Sequence, residues 1–393
     1  MNDTGKSWAR SGLAWLTGVP AGSPDYSRAA VLTRAEAVAR ELSALLGVPV
    51  DAAAALTGRA ALLGLTRRGR ISAGGATRLL ATRDGWCALT LSRPDDVAAV
   101  PALVEHEAVP EDPWPAVAAW AARRCSADVV GRGVLLDLPV ARLGETAPAP
   151  PRVTVEGVRA PGRGAAGLLV VDLSSMWAGP LCGQLLAAGG ATVVKVESPT
   201  RPDGTRSGDT RFYDWINHGK LSYATDFDDD GLPTLLSVAD VVIEGSRPAA
   251  LARRGISPQS VPGPRGRVWV RITGHGTDPA RVAFGDDAAV AGGLVGTAGD
   301  GPVFCADAVA DPLTGLEAAL AVVNSLQHGG GETIDLAMAQ VAAGYAALPA
   351  EPATTGLEAR APQPPPVAPH AAALGADNAR VRAIVDQRRS VPC

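Results

Sequence analysis

A chain of 393 residues with 47% hydrophobic content can bury a sizeable core without metal or disulfide stapling, and its length predicts two or three domains. The formal net charge of -4 comes from dispersed acids and bases, which excludes a nucleic-acid partner held mainly through phosphates. Cys87, Cys125, Cys182, Cys305 and Cys393 show neither CxxC spacing nor clustering with the five histidines, which speaks against a metal site or disulfide framework and fits a reducing, cytoplasmic setting.

The start "MNDTGKSWARSGLAW" lacks the apolar core of a signal peptide, and no run approaches the roughly 18 uncharged apolar residues of a membrane span. A soluble protein with no membrane partner is expected. Next, "RAEAVARELSALLG" and "DAAAALTGRAALLGLTRRG" have the spacing of amphipathic helices. "RDGWCALTLSR" is a strand entered through a turn, and "PWPAVAAWAARRCSADVVGRG" is one or two helices. The proline-rich "GETAPAPPRVTVEG", residues 144–157, is the clearest linker. Beyond it, "GLLVVDLS", "GPLCGQLLAAGG" and "ATVVKVES" form a strand–helix–strand pattern that continues through "LPTLLSVADVVIEG" and "GRVWVRITGHG".

The expected fold class is therefore α/β: a parallel sheet with helices on both faces, plus a smaller α+β domain placed N-terminally. The expected divisions are a small-domain-like region over 1–148, the sheet domain over 149–350, and a proline-rich tail over 351–393 that wraps a surface. The turn after the first sheet-domain strand, "DLSSMWAGPLCG", lacks GxGxxG, and there is no GxxxxGK[ST], HExxH or GxSxG.

In "ADPLTGLEAAL", Asp311 precedes a proline and an apolar helix. This is the pattern of an N-cap followed by proline at the first helical position, and also a candidate for a nucleophilic carboxylate. A similar stretch, "AVLTRAEAVARELSALL", carries Ala30 in the equivalent place, so the copy has the shape without the acid.

Taken in order, "VVDLSSMWAGPLCGQLLAAGGATVVKVESPTRPDGTR", "WINHGKLSYATDF", "ADVVIEGSRPAALARRGI", "ITGHGTDP" and "ADPLTGLEAALAV" with "ETIDLAMAQ" resemble the successive motifs of the family III CoA-transferases, over roughly residues 165 to 345. That group includes formyl-CoA transferase and 2-methylacyl-CoA racemase. The resemblance implies a Rossmann-like sheet domain, an interlocked homodimer, acyl-CoA and carboxylic acid as small-molecule partners, and coenzyme A as substrate and product with no permanently bound cofactor. It places Asp311 on the family's nucleophile, which forms an aspartyl-CoA intermediate. A carboxylate with a reference pKa of about 3.9 would be ionised at neutral pH without a partner base.

The same resemblance puts Trp177 and Ala178 at the CoA-contacting loop, with a core aromatic as the other reading of Trp177. It assigns Asn217, Lys220 and Arg253 to CoA phosphates and adenine. Gly74 and Gly75 stand as a remnant of the glycine loop over the acyl intermediate, or as an ordinary turn. Because "ISAGGATRLLATRDGWCALTL" precedes the sheet domain here, the order implies a permuted or partly duplicated gene. In the racemases of the family a histidine precedes the family aspartate. "FGDDAAVAGG" places Asp286 at that histidine and Asp287 on the aspartate, so transferase is favoured over an isomerase in which Asp286 would act as acid or base. His275 reads as a loop histidine. A catalytically reduced CoA-ester-binding protein is the third alternative.

Overall fold

The computed structural model describes residues 3–107, 110–245, 248–276, 278–351 and 357–390. The strands in chain order are β1 (Thr77–Thr82), β2 (Gly85–Thr90), β3 (Val140–Arg142), β4 (Arg152–Val155), β5 (Leu169–Asp172), β6 (Thr192–Glu197), β7 (Leu221–Ala224), β8 (Val241–Glu244), β9 (Val268–Thr273), β10 (Val295–Ala298), β11 (Gly301–Phe304) and β12 (Glu332–Ala337). The main sheet has the order β4-β12-β9-β8-β5-β6-β7. Only β4 is antiparallel to its neighbour. Counted in chain order, the parallel strands run 3-2-1-4-5-6, which puts the reversal of winding between β5 and β8.

Alternation within continuous apolar runs explains why both faces are covered. Val170, Ile243, Val270 and Ile334 point into one core, shared with Leu181, Leu186, Leu313 and Leu316 from helices Ala178–Ala188 and Ala310–Gln327. Val171, Val242 and Trp269 point into the other, under Leu235, Leu251 and Val381.

The N-terminal region departs from the expected division. Trp8, Leu13, Leu32, Leu42 and Leu56, from the helices between residues 3 and 63, belong to the core of the main sheet. The separate small unit is the antiparallel sheet β1-β2-β3, whose Leu80, Cys87, Leu89 and Val140 pack with Leu103, Val117 and Trp120. The helices between residues 3 and 63 therefore pack with the sheet domain, which satisfies their apolar stripes.

Helix Ala29–Leu46 packs on helix Ala310–Gln327, and each is 18 residues long. The chain ends in more than an extended tail. Asp377 and Asn378 pair with the backbone of Ser222 and Ala224, closing the free edge at β7, and helix Asn378–Ser390 buries Val381 and Val385. Among the described residues no helix is long and apolar enough to cross a membrane.

Candidate active site

Asp311 is the second residue of helix Ala310–Gln327, whose cap position is held by Val309 with no side-chain bond. The capping expectation is thus corrected. The Asp311 carboxylate instead faces the backbone N–H groups of Ala178 and Gly285, the first residues of helices Ala178–Ala188 and Gly285–Ala291. Two helix starts converge on one carboxylate at the carboxyl end of β5, an arrangement that favours negative charge.

Burial nevertheless dominates and pushes the Asp311 pKa up to about 7, with Asp286 adding to the rise and Arg59 and the two N–H groups opposing it. The expectation of a fully ionised carboxylate at neutral pH is corrected accordingly. Asp311 keeps some accessible surface. The segment leading into it holds Ala306 and Ala308 at φ 57° and 43°. For residues with a Cβ this left-handed backbone costs about 1–2 kcal/mol each.

Sequence reasoning missed two members of the site. Arg59, from helix Ala52–Leu63, places Nη1 2.7 Å from both carboxylate oxygens of Asp307, whose side chain is wholly buried. Burial is the largest single influence and opposes the guanidinium's charge, but Asp307, Asp286 and Asp311 together outweigh it. Its Cζ lies 5.9 Å from the Trp177 ring centroid and 5.6 Å from that of Phe212. Helix Ala52–Leu63 can approach this closely because Gly58 faces the Trp215 ring, where a Cβ would stand 2.6 Å from the ring edge. The one available signal was that Arg59 is the only charged residue in AAAALTGRAALL.

Asp286 stands beside this group and is partly accessible. Its Oδ1 accepts from the Ala308 N–H at 3.0 Å and its Oδ2 from Thr77 Oγ1 at 3.3 Å. Burial, then Asp307, raise its pKa to about 6. Asp287 is fully buried: its Oδ1 accepts from the Phe284 N–H at 3.0 Å and Thr90 Oγ1 at 2.9 Å, and burial lifts its pKa to about 7.

Gly74 and Gly75 are brought to the same place. Gly74 is exposed, and a Cβ there would sit 3.4 Å from Arg59 Nη2, while Gly75 turns the loop at φ 88°.

The other expected CoA contacts divide. Ala178 reaches the site through its N–H. Trp177 is 2% exposed and packs edge-on against Phe212 at 5.4 Å, so it forms the floor beneath Arg59 and not an open CoA surface. Asn217 and Lys220 are corrected. Lys220 Nζ is spent on Asp172 at 3.0 Å, the Pro180 carbonyl at 2.8 Å and Asn217 Oδ1 at 3.0 Å, and both side chains are buried. Burial lowers the Lys220 pKa despite Asp172, and no donor is left for a phosphate. Arg253 is exposed and follows the short helix Pro248–Ala252, whose Leu251 packs on the opposite sheet face from helix Ala310–Gln327. His275 is buried and held neutral, burial lowering its pKa to about 4.

Two surface hollows, one lined by Gly263, Arg267 and Thr333 and the other by Val153, Asn324 and His328, lie toward the amino-terminal ends of β9 and β12. Asp311 lines neither, so the site is located by its chemistry.

A model of CoA-transferase family III matches residues 166–374, more than half of the chain. The chain belongs to that family. Within CoA-transferase family III it is similar to the formyl-CoA:oxalate CoA-transferase of Afipia carboxidovorans, with 32% identity over 193 residues covering 44% of this chain and 46% of the relative. It is also similar to the succinate–glutarate CoA-transferase of Agrobacterium fabrum, with 34% identity over 204 residues covering 44% and 51%. A solved CaiB/BaiF family protein from Brucella suis aligns with a TM-score of 0.43 at 28% identity, covering 47% of this chain and 56% of that one. The chain spans about half the length of the curated relatives it matches. The matched segment contains Asp311, Asp286 and Asp307, whereas Arg59, Gly74 and Gly75 come from outside it.

Proposed function

We propose that the chain is a CoA-transferase that moves CoA between an acyl-CoA thioester and a carboxylic acid through an aspartyl-CoA intermediate on Asp311. The observation that carries this reading is the convergence of the Ala178 and Gly285 N–H groups and the Arg59 charge on one partly accessible carboxylate. The ionised Asp311 attacks the thioester carbonyl, forming a mixed anhydride and expelling CoA thiolate. The thiolate then attacks the aspartyl carbonyl, releasing the first acid and leaving Asp311 as a CoA thioester. An acceptor carboxylate repeats the two steps in reverse: it displaces the thiolate to form a new anhydride, and the thiolate takes the new acyl group and restores Asp311. Each carbonyl addition builds an oxyanion, for which the fixed N–H groups beside Asp311 are suited donors.

The strand order supports a Rossmann-like sheet whose ligand lies at the carboxyl ends of the strands near the β5–β8 reversal. Exposed Arg253 is available to a CoA phosphate, and Gly74–Gly75 to close over the acyl group. CoA enters as substrate and leaves as product, and a cytoplasmic homodimer is the assembly this reading adopts. The isomerase reading has one feature in its favour, the raised proton affinity of Asp286, but both oxygens of that residue are engaged by Ala308 and Thr77.

The test is transfer of CoA from succinyl-CoA to isotopically labelled glutarate. Asp311→Asn is expected to lower the rate by roughly 10⁴-fold or more. A variant retaining wild-type transfer contradicts the proposal.

A further inference from the structure

Arg59 is held by only part of its hydrogen-bonding capacity. Asp307 occupies Nη1, and among the described residues no hydrogen bond engages Nε or Nη2. A quarter of the side chain is accessible. The free Nε–Nη2 edge is the fork that matches a carboxylate with two parallel bonds. Nη2 faces exposed Gly74, where the missing side chain leaves the approach open. Trp177 and Phe212 fix the guanidinium from the ring side, and Asp307 fixes its orientation. The result is a preorganised cation beside Asp311 with one unfilled bidentate edge.

We propose that Arg59 is the carboxylate-docking residue of the site and holds the acid substrate through its Nε–Nη2 edge. This rests on the transferase reading of Asp311. The charges set the order of events. Before reaction, Arg59 is shared with the Asp286 and Asp311 carboxylates and lowers the pKa of Asp311. Once Asp311 is a neutral thioester, one competing anion is gone and the cation is available to the incoming acid. The acid therefore binds the acylated enzyme more tightly than the free enzyme.

Asp311→Asn reproduces the neutral state of that carboxylate, so binding can be measured without turnover. Calorimetric titration with glutarate is expected to show tighter binding to D311N than to the wild type. Removing Arg59 alone would leave Asp307 buried and unpaired, so the informative protein is D311N with R59M and D307N together, checked for a native melting transition. Loss of a charge-assisted pair predicts weakening of between about ten- and a hundredfold. R59K in the D311N background should recover part of the affinity, and Gly74→Val should weaken binding with Arg59 intact. Glutarate binding that is absent from D311N, or unchanged when Arg59 and Asp307 are replaced, overturns the proposal. Failure of the parent reading shows separately, as wild-type protein that transfers no CoA.

Discussion

The carboxylate of Asp311 is set by opposing influences of which burial is the largest: burial and Asp286 favour its proton, while Arg59 and two N–H groups favour the anion. Only the ionised form is a nucleophile, so acylation is expected to rise with pH through about 7 and to level off above it. Removing a like charge lowers the pKa, so Asp286→Asn should move this acidic limb to lower pH. A pH profile of single-turnover acylation by succinyl-CoA checks both statements, and a D286N limb unchanged or moved to higher pH contradicts them. Asp311 was legible as a candidate because an acid before proline at a helix start is a local pattern. Its partners were not: Arg59 and Asp307 are 248 residues apart, and the resemblance covers only the second of them. Lys220 was misread because residue type gives charge without burial.

Helix Gly285–Ala291 starts with Asp287 accepting the Phe284 N–H, the side-chain cap that Asp311 does not provide for its own helix. The folded pKa of Asp287, about 7, lies above its ordinary value of 3.8. The folded chain therefore holds a proton that the unfolded chain releases between those values. The stability this contributes is fully present below about pH 4 and is lost as pH rises to about 7. Asp287→Asn keeps an acceptor oxygen for Phe284 and Thr90 but does not titrate. The stability of wild type relative to D287N is thus expected to fall by roughly 2–3 kcal/mol between pH 5 and 8, read from denaturant melts at each pH. A difference independent of pH contradicts it. The parallel strands were readable as elements because each is a short apolar run, whereas helix Asn378–Ser390 was not, since its four arginines mask the buried Val381 and Val385.

At the scale of the molecule, the Asp311 carboxylate of the sheet domain meets an arginine carried by the N-terminal helices, and the two segments share one core. The α/β class and parallel sheet followed from pattern. The packing of residues 3–63 did not, because an apolar stripe on a helix identifies a buried face without naming what covers it. The Ala30 echo fits this arrangement: helix Ala29–Leu46 supplies packing against helix Ala310–Gln327, and only the second copy carries an acid at the equivalent position. The proposed function puts one carboxylate, Asp311, at the centre of the chemistry. The most direct measurement is incubation of the 393-residue chain with succinyl-CoA and hydroxylamine, followed by peptide mass mapping. A hydroxamate is expected on Asp311 and none in D311N; an unmodified Asp311 in protein that transfers CoA would contradict the aspartyl intermediate.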